Sequence, residues 1–534
     1  AVSDCVNAQP VSTTLYRSGD AVYNEYTGGV VGYQASGSIK SCTNRGSMIS
    51  SSNQQYLYMG GIAGDFAEGE AENNVNVAKL DLQGDATSAV KGVRYASVGG
   101  LYGRFGAVQS DSDKNSSNSG PITVLNVETA ADNSTTLNLG GVAGYIDSES
   151  PLSSLTNTGA ITADLVANFT AFAIGGISGS TECGISDSKN SGTLMINNGI
   201  LLKNTSSRIC FGGIAGRNVA GDLNTYSGCV NDGEVGISTK SNDFNILPAF
   251  TGGILGYTEM PVAVKGCENN GYVNSSGANN KYDGLFSAAG GIVGAIVETV
   301  AEVADCIVSV DIRNYAYNRN IDMDPFKMCH CGGIVGCAVG ESQSNIVKIS
   351  NCSNSGALEN KRSTAAGIVG FAKYAAVSDC RFTGSVVGSG PHFAAGIAGC
   401  LSDASVTDCI VKSPDIYSHS SLGFNSINHF PAAGIVGYLY GKSSVSRCKA
   451  FATLIQNVGS TANEQMHVGM GLIAGISTAG STISDCGVGG TLNTGSAGKV
   501  QNVIMTVTSD NFGNCIVGDG NVTPSGCYYW NGQE

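Results

Sequence analysis

Short runs of alternating apolar and polar residues recur along most of this chain. One run reads Ile39, Cys42, Asn44, Gly46, Met48. It returns as Val264, Cys267, Asn269, Gly271, Val273 and as Ile349, Cys352, Asn354, Gly356, Leu358. Other copies keep the frame but change the Cys, as in Leu152, Leu155, Asn157, Gly159, Ile161, or lose the Asn, as in Val377, Cys380, Phe382, Gly384, Val386. A period of two is strand patterning, whereas a helix face would repeat at 3.6. The pattern predicts strands of about five residues separated by Gly or Asn/Ser turns.

A second pattern, small-Gly-apolar-apolar-Gly, begins at Gly28, Gly60, Gly99, Gly140, Gly175, Gly212, Gly252, Gly290 and Gly332. It continues at Ala366, Ala395 and Ala433 and ends in a degenerate copy, Gly471–Gly475. These are 13 copies, with 443 residues between the first start and the last, a mean period of about 37. Identical short strands at a fixed interval stack as coils of a parallel β-helix, each ~4.8 Å above the last. The fold class is therefore all-β, a β-helix of about 13 coils. Residues 1–500 form the repeat domain, and 501–534 form a last coil and cap of the same domain. A β-propeller needs four strands per blade, and so many blades do not close one ring.

The interval from the Gly box to the following box Cys is nearly constant, 14 residues from Gly28 to Cys42 and 16 from Gly290 to Cys306. From that Cys to the next Gly box it varies, from 14 (Cys352 to Ala366) to 26 (Cys306 to Gly332). Insertions thus enter on one side of the coil, and in solenoids that side is often the binding face. Three strands per coil are expected, with Gly at positive φ at the corners and the recurrent Asn forming a hydrogen-bonded ladder from coil to coil.

The two boxes together, GG-[IVL]-x-G followed by C-x-N-x-G-x-V, resemble the GLUG-type repeats of secreted and surface proteins of gut anaerobes. Those proteins are described as cell adhesins, and the repeat also occurs in IgA-protease-like surface proteins. The resemblance runs from Val2 to about Leu492. It implies a right-handed parallel β-helix on the bacterial cell surface, held at the outer membrane by a lipid anchor upstream of Ala1, and it supplies no catalytic residues. The chain departs from the pattern at Leu472 and in boxes without Cys near residues 72, 116, 155 and 188.

Composition narrows the partners. Gly is 75 of 534 residues and Pro only 10, while 42% of the chain is apolar and 13% charged. Collagen, disorder and a helical bundle do not fit these values. The 28 basic and 42 acidic residues give a net charge of −14, which repels phosphate backbones and argues against nucleic acid. The most apolar stretch, Ala288 to Val308, carries Glu298, Glu302 and Asp305, so no transmembrane segment is expected. No cofactor motif is present: a phosphate-binding Gly loop occurs once before a helix, not thirteen times between strands.

The candidate chemistry is sparse. Ten of the 18 Cys occupy the Cys box and read as a column of buried free thiols, because Cys packs as a small hydrophobe. Cys515 and Cys527 fall outside that register and are the pair best suited to a disulfide, with Tyr528, Tyr529 and Trp530 covering the last coil. Cys329, His330, Cys331 and Cys337 read as packing rather than as a metal site, because their spacing matches no zinc knuckle. His330, His392, His429 and His467 precede Gly boxes, two of them as His392-Phe393 and His429-Phe430. This stripe, His392, Phe393, His429, Phe430 and His467, is the candidate ligand-binding surface. Asp4, Asp305, Asp379, Asp408 and Asp485 each precede a box Cys and suit either solvated corners or an acid column. The expected function is non-catalytic binding of host or polysaccharide ligands, glycan or protein, through the inserted loops. A polysaccharide lyase or glycoside hydrolase and a structural stalk are the alternatives.

Overall fold

The computed structural model describes all residues except 15–22, 52–53, 84–89, 108–112, 126, 130–134, 165–169, 199–207, 220, 238–248, 276–278, 281–285, 316, 319–327, 362–363, 390–392, 421–430, 459–468, 496–502 and 534. The chain forms two compact units, one of Ala1–Ala263 with Cys267–Tyr282 and one of Val264–Gly266 with Asp283–Glu534. Each is a parallel β-helix. The alternation of apolar positions therefore does predict the fold.

A coil contains four strand positions, not three. In the coil beginning at Tyr56 they are Tyr56–Gly60, Ala63–Phe66, Gly69–Glu72, and a split fourth strand of Val75–Asn76 and Leu80–Gln83. Each pairs in parallel and in register with its equivalent one coil away, so four ladders run along each unit. The first ladder of the first unit holds seven strands among the described residues, with Gly28, Gly60, Gly99, Gly140, Gly175, Gly212 and Gly252 aligned. In the second unit it holds six, from Ala288–Gly290 to Met470–Gly471. The variable segments lie between the fourth ladder and the next first ladder, as the spacing predicts.

The core follows from the alternation. Leu57, Met59, Ile62, Phe66 and Leu80 are fully buried within one coil, and Cys42, Cys267 and Cys306 fill the same interior position in three others. Such burial stabilises by roughly 25 cal/mol per Å² of apolar surface. The box glycines are required by crowding rather than by φ. A Cβ on Gly141 would sit 2.0 Å from the Gly176 carbonyl oxygen and 2.3 Å from Cγ of Asn157. Among the described residues the positive-φ glycines do not include those of the Gly box, which corrects the corner role expected of them.

Positive φ is instead carried by the residue just before the Cys position: Asp4, Ser41, Asn73, Asn115, Ser154, Asp187 and Gly228 in the first unit. The second unit continues with Gly266, Asp305, Asn351, Asp379, Asp408, Arg447, Asp485 and Gly526. Asn, Asp and Gly tolerate this left-handed conformation best and fill twelve of these fifteen corners, the others being Ser41, Ser154 and Arg447.

The C-terminal segment also stays in register. Ile473 N–H donates to the Ile516 carbonyl and Ala474 pairs with Val517, so Asn514–Gly518 is a further, degenerate Gly box. Gly487 and Val488 pair with Tyr528 and Tyr529, which places Cys527 next in the column after Cys486. Cys515 and Cys527 are thus box residues of two different columns, and both are free thiols; the expected disulfide is not formed. Trp530 is buried and packs edge-on to Phe451, while Val503–Val507 adds an antiparallel strand to Gly487–Gly495.

Candidate functional site

The candidate His/aromatic stripe is only partly within the described residues. His392, His429, Phe430 and His467 lie outside them. Phe393 is buried, 2% exposed, in the first-ladder column that holds Tyr58 and Asn138 in the first unit, with its ring stacked 5.3 Å from that of Tyr438. His330 is fully buried; its Nδ1 lies 2.8 Å from Thr364 Oγ1 and its ring stacks on Phe371. Cys331 and Cys337 are buried as well, and burial pushes both thiols up. A cavity of about 630 Å³ opens beside His330, lined also by Phe286, Glu298, Glu341 and Lys373.

The Asp column is a column of left-handed corners. Asn351 Nδ2 donates to Asp305 Oδ1 at 2.7 Å. Arg447 makes two hydrogen bonds to Asp408, 2.8 and 2.6 Å, and this pairing holds the Asp408 carboxyl below the ordinary carboxylate range. Arg447 therefore continues the column as a charge partner rather than interrupting it.

The Asn and Cys positions build the interior. Asn7, Asn44, Asn76, Asn118, Asn157, Asn190, Asn231 and Asn269 form a continuous ladder, each amide donating to the next at 2.7–2.8 Å. In the boxes without Cys the position is taken by Asn74, Ser116, Leu155 or Ser188, three of them polar. Ser116 Oγ accepts from Asn74 N–H, and Ser188 Oγ from Leu155 N–H, so the register is kept in those coils. The second unit replaces most of this ladder by apolar residues, Phe382, Val411, Ala450 and Val488.

The most site-like feature of the first unit is one that pattern reading missed. The outward columns of the first and second ladders face each other across a groove of about 460 Å³. The first ladder contributes Tyr58, Tyr95, Asn138 and Arg208, and the second Arg104, Tyr145, Ser180 and Arg217. A row of tyrosines begins outside it: Tyr26 stacks on Tyr58 at 5.4 Å, Tyr58 lies 5.5 Å from Tyr95, and Tyr95 meets Tyr145 edge-on at 6.5 Å. On the floor, Asn138 donates to the Tyr95 hydroxyl at 3.2 Å and accepts from Ser180 Oγ at 2.8 Å.

Charges in the groove come in pairs. Arg104 bonds Asp147 and lies 3.8 Å from Asp65. Arg208 bonds Glu259 at 2.5 Å, sits over the Tyr257 ring at 4.8 Å, and shares Glu259 with Arg217. Burial raises Glu259, but the Tyr257 hydroxyl and Arg208 outweigh it and hold the carboxyl below its usual range. Burial, and the Glu182 carboxylate to which its hydroxyl donates, push Tyr145 well up. Burial also raises Asp65 against the pull of Arg104. These side chains point outward at every second position, but they differ from coil to coil, so no repeated motif marked them. No helix among the described residues is long and apolar enough to cross a membrane. No family model, curated protein or solved structure matches the chain.

Proposed function

We propose that the chain is a non-catalytic, adhesin-like protein of the cell surface that binds glycan or protein ligands of a host or of neighbouring bacteria. Two faces serve this reading: the side of variable segments before each first ladder, and the groove of the first unit. The groove is the observation that carries it. Aromatic rings lie beside amides, hydroxyls and paired charges, the composition of a site that holds a polar ligand by contact. Its tyrosines are pushed up and its arginines are held in ion pairs. Such groups bind well and are poorly poised to take a proton at neutral pH.

The purified protein applied to an array of glycans, mucins and matrix proteins is expected to retain a defined subset. Retention of none would end this reading. A polysaccharide lyase or hydrolase would instead shorten an acidic polysaccharide and lose that activity on substitution of Asp379 and Asp408.

A further inference from the structure

We infer that the groove of the first unit is a binding site for a neutral oligosaccharide lying along the stack of coils, in contact with Tyr58, Tyr95, Tyr145 and Arg208. This rests on the proposal that the chain binds glycans, and it names the site and the class of sugar. Its volume, about 460 Å³, falls in the range of small-ligand sites. Successive coils lie ~4.8 Å apart, a spacing comparable to one pyranose residue, so a linear sugar chain meets a new and different pair of outward side chains at each step.

The charge pattern selects the class. The groove region holds Arg104, Arg208 and Arg217 against Asp65, Asp147, Glu182 and Glu259. Each guanidinium has a carboxylate partner, so no surplus positive charge remains for uronates or sulfates, and the net charge of −14 opposes them. A cationic ligand would find only Glu182, held by the Tyr145 hydroxyl, outside an ion pair and elsewhere would have to displace an arginine from its carboxylate. A sugar hydroxyl both donates and accepts, and it meets both functions side by side at every ion pair. Tyrosine rings supply the apolar surface that the C–H faces of a pyranose need.

The protein alone does not satisfy the groove region. Asp65 is 2% exposed and its Oδ1 has no hydrogen-bond partner among the described residues; Nε of Arg104 and of Arg217 are in the same position. Buried acceptors and donors left unpaired are costly. Arg104 and Arg217 line the groove, whereas Asp65 does not, so a polar, uncharged ligand that shifts the two arginines supplies acceptors to their Nε groups without adding a charge.

The test is calorimetric titration of the full chain with hexasaccharides of neutral β-glucan, xylan and mannan, and with polygalacturonate and heparin hexasaccharides. Arg208→Gln and Tyr145→Leu change partly exposed groove side chains, and Lys348→Gln, on the second unit, serves as control. Thermal unfolding establishes that each variant is folded, and the two groove variants keep the test open if one fails. At least one neutral hexasaccharide is expected to bind, each groove variant to weaken it tenfold or more, and the control to leave it unchanged. Neutral binding that both groove variants leave intact overturns the site while the glycan-binding reading stands. Tighter binding of the anionic hexasaccharides overturns the class of sugar. Binding of none of the five overturns both.

Discussion

Asp113 shows how far one side chain can depart from the repeat. It is fully buried, accepts a hydrogen bond from Ser116 Oγ, and lies close to the Tyr102 hydroxyl. Burial raises its carboxyl to about 7, against the opposing hydrogen bonds. An acid raised on folding binds its proton more tightly in the native state, so its contribution is complete below the unfolded pKa of about 4 and disappears as pH rises through about 7. Stability of the first unit is therefore expected to fall between these limits by an amount on the order of 4 kcal/mol. Asp113→Asn should flatten that part of the curve of denaturation midpoint against pH, and an unchanged slope would refute the assignment. The glycines make an equally local prediction. Gly141→Ala places a methyl into the Gly176 carbonyl and Asn157 and should cost several kcal/mol. Gly221, whose Cβ would meet nothing within 4 Å, should accept Ala within about 0.5 kcal/mol. Chemical denaturation of the two variants checks both.

At the scale of the element, the ladders explain what was legible. The alternation of Ile39, Cys42, Asn44 and Met48 disclosed the strands, their parallel stacking and the Asn ladder, because stacked coils confront the same interior at the same position. It did not disclose the fourth strand position, because the split strand Val75–Asn76 and Leu80–Gln83 bends at a small residue within a single sequence box. Nor did it disclose the left-handed corner, since Asp, Asn and Gly share that backbone tolerance without resembling one another chemically, and Ser41, Ser154 and Arg447 also occupy it. Cys515 and Cys527 were misread because Asn514–Gly518 has lost its leading glycines. The Asn ladder itself can be cut. Asn157 donates to Asn190 and Gly159 and accepts from Asn118 and Gly159 N–H. Asn157→Ala leaves these buried groups unpaired at about 1–3 kcal/mol each, so the unfolding midpoint of the first unit should drop markedly. A drop no larger than for an exposed Asn would contradict the ladder's energetic role.

For the molecule as a whole, thiols and groove make separate statements. Of 18 free cysteines, Cys5 is exposed, Cys527 is half-buried and the other 16 are buried. Titration of the native chain with a thiol-reactive chromophore should therefore show about two fast equivalents, with the remainder released only on unfolding. The groove was illegible in the sequence for the same reason that it is informative. A solenoid repeats its interior, so function resides in outward side chains that do not repeat, such as Tyr58, Arg104, Tyr145 and Arg208. Of the histidine stripe, His330 and Phe393 are the described residues; both are buried, and His330 lines a cavity of the second unit. The most direct measurement is affinity electrophoresis of the native chain through gels containing a neutral polysaccharide or polygalacturonate. The account predicts retardation by a neutral polymer, none by polygalacturonate, and recovered mobility for Arg208→Gln. Equal mobility in every gel, or retardation by polygalacturonate alone, would contradict it.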